Sequence, residues 1–355
     1  GFDLAVLDTD FGDFACMDFL WHDTTVPKGD LNRFTLSHFS PGAGHVHARS
    51  SWDENATYFF FKCSDRYTAH QHLDAGHFLI CRHEELAGDG GHYDSFGSPH
   101  DVNYHLRSIA HNTLLVLDPA ERWPAIRAGH VTGNDGGQHH RWPHHNGAAA
   151  DPAEWDKGRT LYDIADVIAI QDSGDCLYVA ADATRAYSTN KIECFTRQIV
   201  FARPGTIVIF DRVRSAQPGF KKTWLLQAMK TPERRGEFWV VTHGQGRLFV
   251  QTLLPLESQT SLASGPTLYR YDGQNFPPRR DTGPAPDCRI EISPAHSNAT
   301  DLFLHVLTAT DARVDTVPQA HATLDGDRGR LTLPGLQLDF RIVSVRVAIA
   351  QPAVA

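Results

Sequence analysis

An all-β fold follows from three features of this 355-residue chain. Short apolar runs bounded by turn residues recur along it, no long segment of helical period separates them, and Gly and Pro punctuate the gaps. Together they predict a large antiparallel β-sandwich over residues 45–255, a smaller C-terminal β-layer over 256–355, and a short lead-in over 1–44. Within the lead-in, Phe11 to Trp21 is a helical piece with imperfect apolar spacing, and Pro27 with Gly29 ends it. The opening Gly-Phe-Asp-Leu-Ala-Val reads as the interior of a longer chain, so we expect an upstream portion.

Strands begin after the lead-in. Ala56 to Lys62 follows an Asp-Glu-Asn turn, His77 to Arg82 follows Gly76, and Asn112 to Leu117 is closed by Asp118-Pro119. Four more apolar runs start at Val167, Cys176, Arg197 and Thr206, the last pair separated by a Pro204-Gly205 turn, and a fifth spans Thr223 to Gln227. Between 124 and 160 the composition is that of a long surface loop. A polar Gly/Pro/Ser-rich passage near 255–287 precedes the last set, Leu302 to Leu307, Arg330 to Leu333, Leu338 to Val343 and Val345 to Ile349, with hairpin turns at Gly326 and Gly335.

Charge and composition exclude several functions. Lys and Arg total 33 against 42 Asp and Glu, a balance of −9 that disfavours nucleic acid or anionic lipid as a general partner. No stretch has the length and apolarity of a membrane helix. The six Cys lack C-x-x-C spacing, so neither a zinc ribbon nor a disulfide scaffold is expected, and the sequons at Asn55 and Asn298 matter only in a glycosylating cell.

The 21 His are the outlier, and they crowd into residues 22–145. In His70-Gln71-His72-Leu73-Asp74 an extended backbone would put His70, His72 and Asp74 on one face. Asp89, in Gly-Asp-Gly-Gly, and His111 sit beside strand edges and can converge on them. Two imidazoles and a carboxylate suit zinc, although an isolated His-x-His is common without a metal. His45-x-His47 has the same spacing without an acidic-glycine partner, and is taken as strand decoration. A second cluster, Gly97 to Asn112, gathers His100, Asn103, Tyr104, Arg107 and more imidazoles. Such a set suits gripping a carboxylate and moving protons, or else ties down a loop by hydrogen bonds. Asn134 to Gln138 is a turn flanked by Trp123, Trp142 and Trp155, indoles that stack on sugars when exposed and anchor the loop when buried.

Several ordered blocks resemble the C-terminal β-region of the heparinase II/III-like polysaccharide lyases. They are His70-Gln-His72-Leu-Asp74-Ala-Gly76-His-Phe78, Leu86-Ala-Gly-Asp89-Gly-Gly, Asn103-Tyr104-x-x-Arg107-Ser-Ile-Ala-His111-Asn112-Thr and Asn134-Asp-Gly-Gly-Gln138. Gly174-Asp-x-x-Tyr178, Arg197-Gln-Ile-Val-Phe-x-x-Pro204 and Phe210-Asp211-Arg212-Val213 extend the resemblance over roughly residues 45–230. It implies β-elimination on uronic-acid-containing glycans such as heparan sulfate, another glycosaminoglycan or alginate. His72, Asp89 and His111 are then ligands of a structural zinc, and His70 is the histidine on the cleft side. Under that reading His70 serves as base or neutralises the carboxylate, Tyr104 is the acid, and Asn103, Arg107, His100, Gln138 and Trp142 bind substrate. The family joins this region to an N-terminal (α/α) toroid, which this chain has no room for, so association with a toroid is implied, as is a periplasmic or secreted location in a bacterium. Two alternatives stand beside the lyase. One is a non-catalytic carbohydrate-binding module stiffened by zinc, and the other is a hydrolase using an open metal position.

Overall fold

The structure, a computed structural model, describes residues 23–27, 29–66, 70–123, 133–138, 149, 151–342 and 347–349. Two units separate within the chain, residues 1–35 and 36–355. In the first, the described part holds a single 3-10 turn, Leu31–Arg33, whose N-cap Asp30 accepts a hydrogen bond from the Asn32 amide. The expected helical piece at Phe11 to Trp21 lies outside the described residues.

The second unit is built of strands. In chain order they are β1 (Ser37–Ser40), β2 (His45–Arg49), β3 (Tyr58–Lys62), β4 (His77–Arg82), β5 (Glu84–Ala87), β6 (Leu114–Leu117), β7 (Asp166–Asp172), β8 (Cys176–Asp182), β9 (Ile192–Ala202), β10 (Thr206–Ser215) and β11 (Lys221–Ala228). They continue as β12 (Glu233–Arg235), β13 (Phe238–His243), β14 (Gly246–Leu254), β15 (Ser258–Ser264), β16 (Arg270–Tyr271), β17 (Gln274–Asn275), β18 (Cys288–Pro294), β19 (Thr300–Asp311), β20 (His321–Asp325), β21 (Arg328–Leu333), β22 (Leu336–Arg341) and β23 (Val347–Ile349). One large sheet runs β1-β2-β3-β4-β5-β11-β18-β15, with β6 also paired to β11, and the other runs β12-β13-β14-β19-β10-β9-β8-β7. All of their ladders are antiparallel, so the expected antiparallel β-sandwich is the observed fold.

Alternation decides which side chains meet between the sheets. In β2 and β3 the even partners Val46, Ala48 and the odd partners Phe59, Phe61 point inward, and they pack on Ile199, Phe201, Ile207 and Ile209 of the facing sheet. Within β9 and β10 the stretches 199–201 and 207–210 are continuously apolar because they are covered on both faces. Their other face, with Val200, Val208 and Phe210, packs under Leu331, Leu338 and Phe340 of a four-stranded sheet, β20 to β23.

The boundaries differ from those expected. The sandwich starts at β1, before residue 45, and does not end at 255, because β15, β18 and β19 belong to its two sheets. Only β20 onward forms the small outer layer. The polar sequence of β15, Ser-Gln-Thr-Ser-Leu-Ala-Ser, is that of a largely exposed edge strand, which has no second buried face to demand apolar residues.

A buried ion pair braces the second sheet. Arg197 on β9 meets Asp211 on β10 across two hydrogen bonds of 2.8 and 2.6 Å, with both side chains essentially buried. Its remaining nitrogen donates to the carbonyls of Gly76 and Asn112, the latter at 2.8 Å. Removing one partner strands the other charge in the interior. Arg197→Leu should therefore destabilise the protein by about 3–5 kcal/mol, read as a shift of the urea midpoint.

His305 on β19 is also fully buried, its ring stacked 3.9 Å from that of Trp224 and its Nδ1 3.2 Å from the Thr252 hydroxyl. Burial, reinforced by the Arg197 charge, pushes its pKa down to about 3. Between about pH 6.5 and 3 the unfolded chain takes up a proton that the folded protein refuses, so this group removes stability on acidification and contributes none above pH 6.5. In His305→Leu the loss of unfolding free energy between pH 7 and 5 should be about 2 kcal/mol smaller than in the parent.

Candidate functional site

Before β4 the described residues 70–76 are pinned from several sides. The amide of Leu73 donates to Leu106 O at 2.8 Å, Gly76 N donates to Lys62 O at 2.8 Å, and Ser108 Oγ donates to Leu73 O at 2.6 Å. Gln138 clamps Ala75, accepting from its amide at 3.0 Å and donating to its carbonyl at 2.8 Å. Gly76 has φ +87°, which a side chain disfavours. Asp89 is held in the loop after β5 by bonds on either side, Gly88 N to Gln227 O at 3.0 Å and Gly90 N to Ala110 O at 2.7 Å. A Cβ at Gly90 would fall 2.6 Å from that same carbonyl, so the glycine permits the approach. His111 immediately precedes Asn112, whose side-chain amide donates to Phe78 O at 2.7 Å and Gly88 O at 2.9 Å and whose Oδ1 accepts from Gln227 N at 2.6 Å.

These three loops bring His72, Asp89 and His111 together, with one donor atom from each within 4.8 Å of the others. Asp89 contacts His111 Nδ1 closely, and its other oxygen is 4.0 Å from His72 Nδ1. The His72 ring centre is 5.0 Å from that of His111 and 4.7 Å from that of His105. Burial, then the neighbouring His111 charge, pushes the His72 pKa down to about 3, so at neutral pH its nitrogen lone pair is available. Burial works against ionised Asp89, but His111, followed by His77 and His72, outweighs it and keeps the carboxylate far below its ordinary range. Two imidazoles and a carboxylate gathered this closely suit zinc, which takes nitrogen and oxygen donors.

His70 is placed differently. Its φ is +65°, so the chain turns there and His70, His72 and Asp74 do not share a face as an extended strand would require. Asp74 is buried and bound to the Lys62 ammonium at 2.6 and 2.9 Å, and it lies on the wall of the cavity that His70 borders. His70 itself is exposed, its ring 5.1 Å from Phe96, beside an open cavity of about 300 Å³. His45, Lys62 and Gln71 line the same cavity, and His72 and Asp89 also reach it. His45 was expected to be ordinary strand decoration. Its role in the wall comes from the β2–β3 register, which sets it opposite Lys62, and that register is not visible in either strand alone.

The second cluster is corrected by burial. Residues Asp101–His105 form one π-helical turn packed against the sheet. Tyr104 is 0% exposed, and its hydroxyl accepts from Arg289 at 2.9 Å. It therefore does not reach a substrate as an acid. Asn103 donates to Pro99 O at 2.8 Å. Arg107 is spent inside the protein, on the Tyr271 hydroxyl, the Gly133 carbonyl and the Asp135 carboxylate, each at 2.8 Å. His100 is buried with Nδ1 2.6 Å from Phe276 O, and Gln138 is the clamp on Ala75. None of these four is positioned to bind substrate; each is engaged in hydrogen bonds within the protein. Trp123 is buried under Arg107 and Trp155 stacks on Tyr162, while Trp142 lies outside the described residues.

A family model described as Heparinase II/III-like, C-terminal, matches residues 36–279. The chain belongs to this family. No curated protein matches it in sequence. Among solved structures it is similar to a heparinase III gene product, with TM-score 0.62, 14% identity and coverage of 94% of this chain and 45% of that one. It is similar also to the heparan sulfate lyase HepC from Pedobacter heparinus, with TM-score 0.61, 14% identity and coverage of 96% and 47%. At such identity these likenesses show the fold, and this heparinase II/III-like chain spans less than half the length of either structure.

Asn112 was singled out by sequence only as part of a motif, yet it joins β4, the Asp89 loop and β11. Asn112→Ala should lower stability by about 2–4 kcal/mol, measured by urea unfolding, because three backbone groups lose a buried partner together. A change under about 0.5 kcal/mol would show the clip to be dispensable.

Proposed function

We propose that this chain is the β-sandwich portion of a polysaccharide lyase that cleaves uronic-acid-containing glycans, such as heparan sulfate, another glycosaminoglycan or alginate, by β-elimination. The observation that carries the reading is the cavity itself, where an exposed imidazole, His70, stands beside the pinned His72, Asp89 and His111. The names of the similar solved structures, a heparinase III and a heparan sulfate lyase, support the substrate class.

Elimination next to a uronate carboxylate needs three things: neutralisation of that carboxylate, removal of the C5 proton, and a proton for the departing glycosidic oxygen. His70 is the group of this chain that meets the sugar, either accepting the C5 proton or neutralising the carboxylate. His45, on the same wall, orients the ring by hydrogen bonding. With Tyr104 sealed beneath Arg289, the leaving oxygen is protonated from outside this chain, by a toroid domain that completes the cleft. Zinc on His72, Asp89 and His111 would supply cross-linking of three loops and no chemistry on substrate. Its ligands hold the segment from which His70 projects, so that the imidazole stays aimed. In a bacterium, a protein acting on such polymers would work in the periplasm or outside the cell.

The test uses the full-length parent protein. On a panel of uronate polymers it should generate the ultraviolet absorbance of an unsaturated uronate. His70→Ala should lower turnover by about 100-fold or more while keeping its zinc. His72→Ala and Asp89→Asn should lose zinc and melt at lower temperature. No absorbance on any uronate polymer points instead to the non-catalytic module, and zinc lost from His70→Ala but kept in His72→Ala reverses the division of roles.

A further inference from the structure

The outward face of the first sheet is divided. Toward β6 and β11, Leu115 and Leu225 are roofed by Tyr104, Ile109, Tyr271 and Phe276. Toward β1 to β4 the outward side chains stay partly open. There β2 presents His45, His47 and Arg49, and directly across on β3 stand Lys62, Phe60 and Tyr58. Successive outward positions on a strand are roughly 6.6 Å apart, so each strand offers a row of three contacts.

The chemistry of this strip is unlike that of the chain as a whole. A protein with a balance of −9 places no carboxylate at the outward positions of β1 to β4, although Asp74 reaches Lys62 from the adjoining loop. Phe60 is half-buried with its ring 5.1 Å from both His45 and His47, which leaves a flat apolar surface framed by imidazoles. His47 Nδ1 is 2.8 Å from the Tyr58 hydroxyl, and the Arg49 guanidinium lies 4.2 Å over the Trp52 ring. Partial burial holds the pKa of His45 and His47 below its ordinary value, His45 further lowered by Lys62, so near neutral pH they act as hydrogen-bonding groups and Arg49 carries the fixed positive charge. A flat ring, hydroxyl-directed imidazoles and a guanidinium match a sugar face, its hydroxyls and an acidic substituent in turn. The strip is continuous with the cavity at His70 through His45 and Lys62.

We infer that this strip is an extended binding surface for an acidic glycan, with Phe60 as the platform under one sugar and Arg49 reading a carboxylate or sulfate on a unit distant from the bond that breaks. The inference deepens the lyase reading, from which it takes the glycan. Its own test is binding rather than turnover. In the full-length protein, Arg49→Gln and Phe60→Ser should each weaken the affinity for long alginate and heparan sulfate chains about fivefold, Arg49→Gln with an unchanged melting temperature. Dextran, which is uncharged, should bind at least tenfold more weakly than either. Unaltered affinity in both variants, parity between dextran and the acidic polymers, or variants that lower the melting temperature without touching affinity, as expected of a face covered by another domain, would each overturn it. Absence of unsaturated product from a wild-type protein that binds through this strip would defeat the lyase reading alone, and unaltered binding by variants of a protein that does cleave would defeat this inference alone.

Discussion

The arrangement at the cavity depends on a guanidinium that never reaches it. Arg197 spans the interior of the sandwich, fixed to Asp211 on the neighbouring strand and donating to the carbonyls of Gly76 and Asn112 on the opposite sheet's loops. Those carbonyls belong to backbone that leaves the regular ladder so that His72 and His111 can turn toward each other. A carbonyl released from a ladder and buried needs a donor, and a planar guanidinium with five N–H groups serves two of them while holding its carboxylate bidentately. Desolvating the pair is costly, so its presence is better explained by geometry than by net stability. It lets one side of a closed core carry irregular chain.

The same logic accounts for the dense set of amides and hydroxyls nearby. Gln138, Ser108, Thr113 and Asn112 each bond to main chain in or beside the 73–76 and 88–90 segments. Loops are usually placed on the surface because their polar backbone is hard to satisfy inside. Here side chains take the place of water, and the loops become part of the core. Residues whose functional groups looked suited to substrate chemistry, Tyr104, Asn103, Arg107 and His100, are consumed by that task.

This explains what was legible in the sequence. Strands with one or two apolar faces, such as Phe59 and Phe61 on β3 or Ile207 to Phe210 on β10, announce themselves by period, and so did the sandwich. Edge strands such as β15 do not, because burial on at most one side leaves composition free. The convergence of His72, Asp89 and His111 was legible through motif blocks, whereas burial was not. A buried Tyr bonded to Arg and an exposed Tyr poised over a sugar have the same letter, and the difference lies in Arg289, which is 185 residues away. His45 was missed for a related reason, since its neighbour Lys62 is defined by strand register alone.

The pair His70 and His72 shows how two like residues two positions apart come to stand in unlike surroundings. On a strand they would share a face and hence an environment. The positive φ at His70 breaks that parity, at a cost of order 1 kcal/mol that His, with Asn and Asp, tolerates better than most residues. Bonds on both sides of the turn, Gln71 Nε2 to Asp65 O at 2.9 Å and Leu73 N to Leu106 O at 2.8 Å, hold the unusual conformation in place. One imidazole is thereby turned inward, where burial keeps it uncharged against Asp89 and His111, and the other is left exposed beside the open cavity. A regular strand here would merge the two environments, so the break in secondary structure is what lets residues 70–72 give one imidazole to the Asp89–His111 cluster and leave the other exposed.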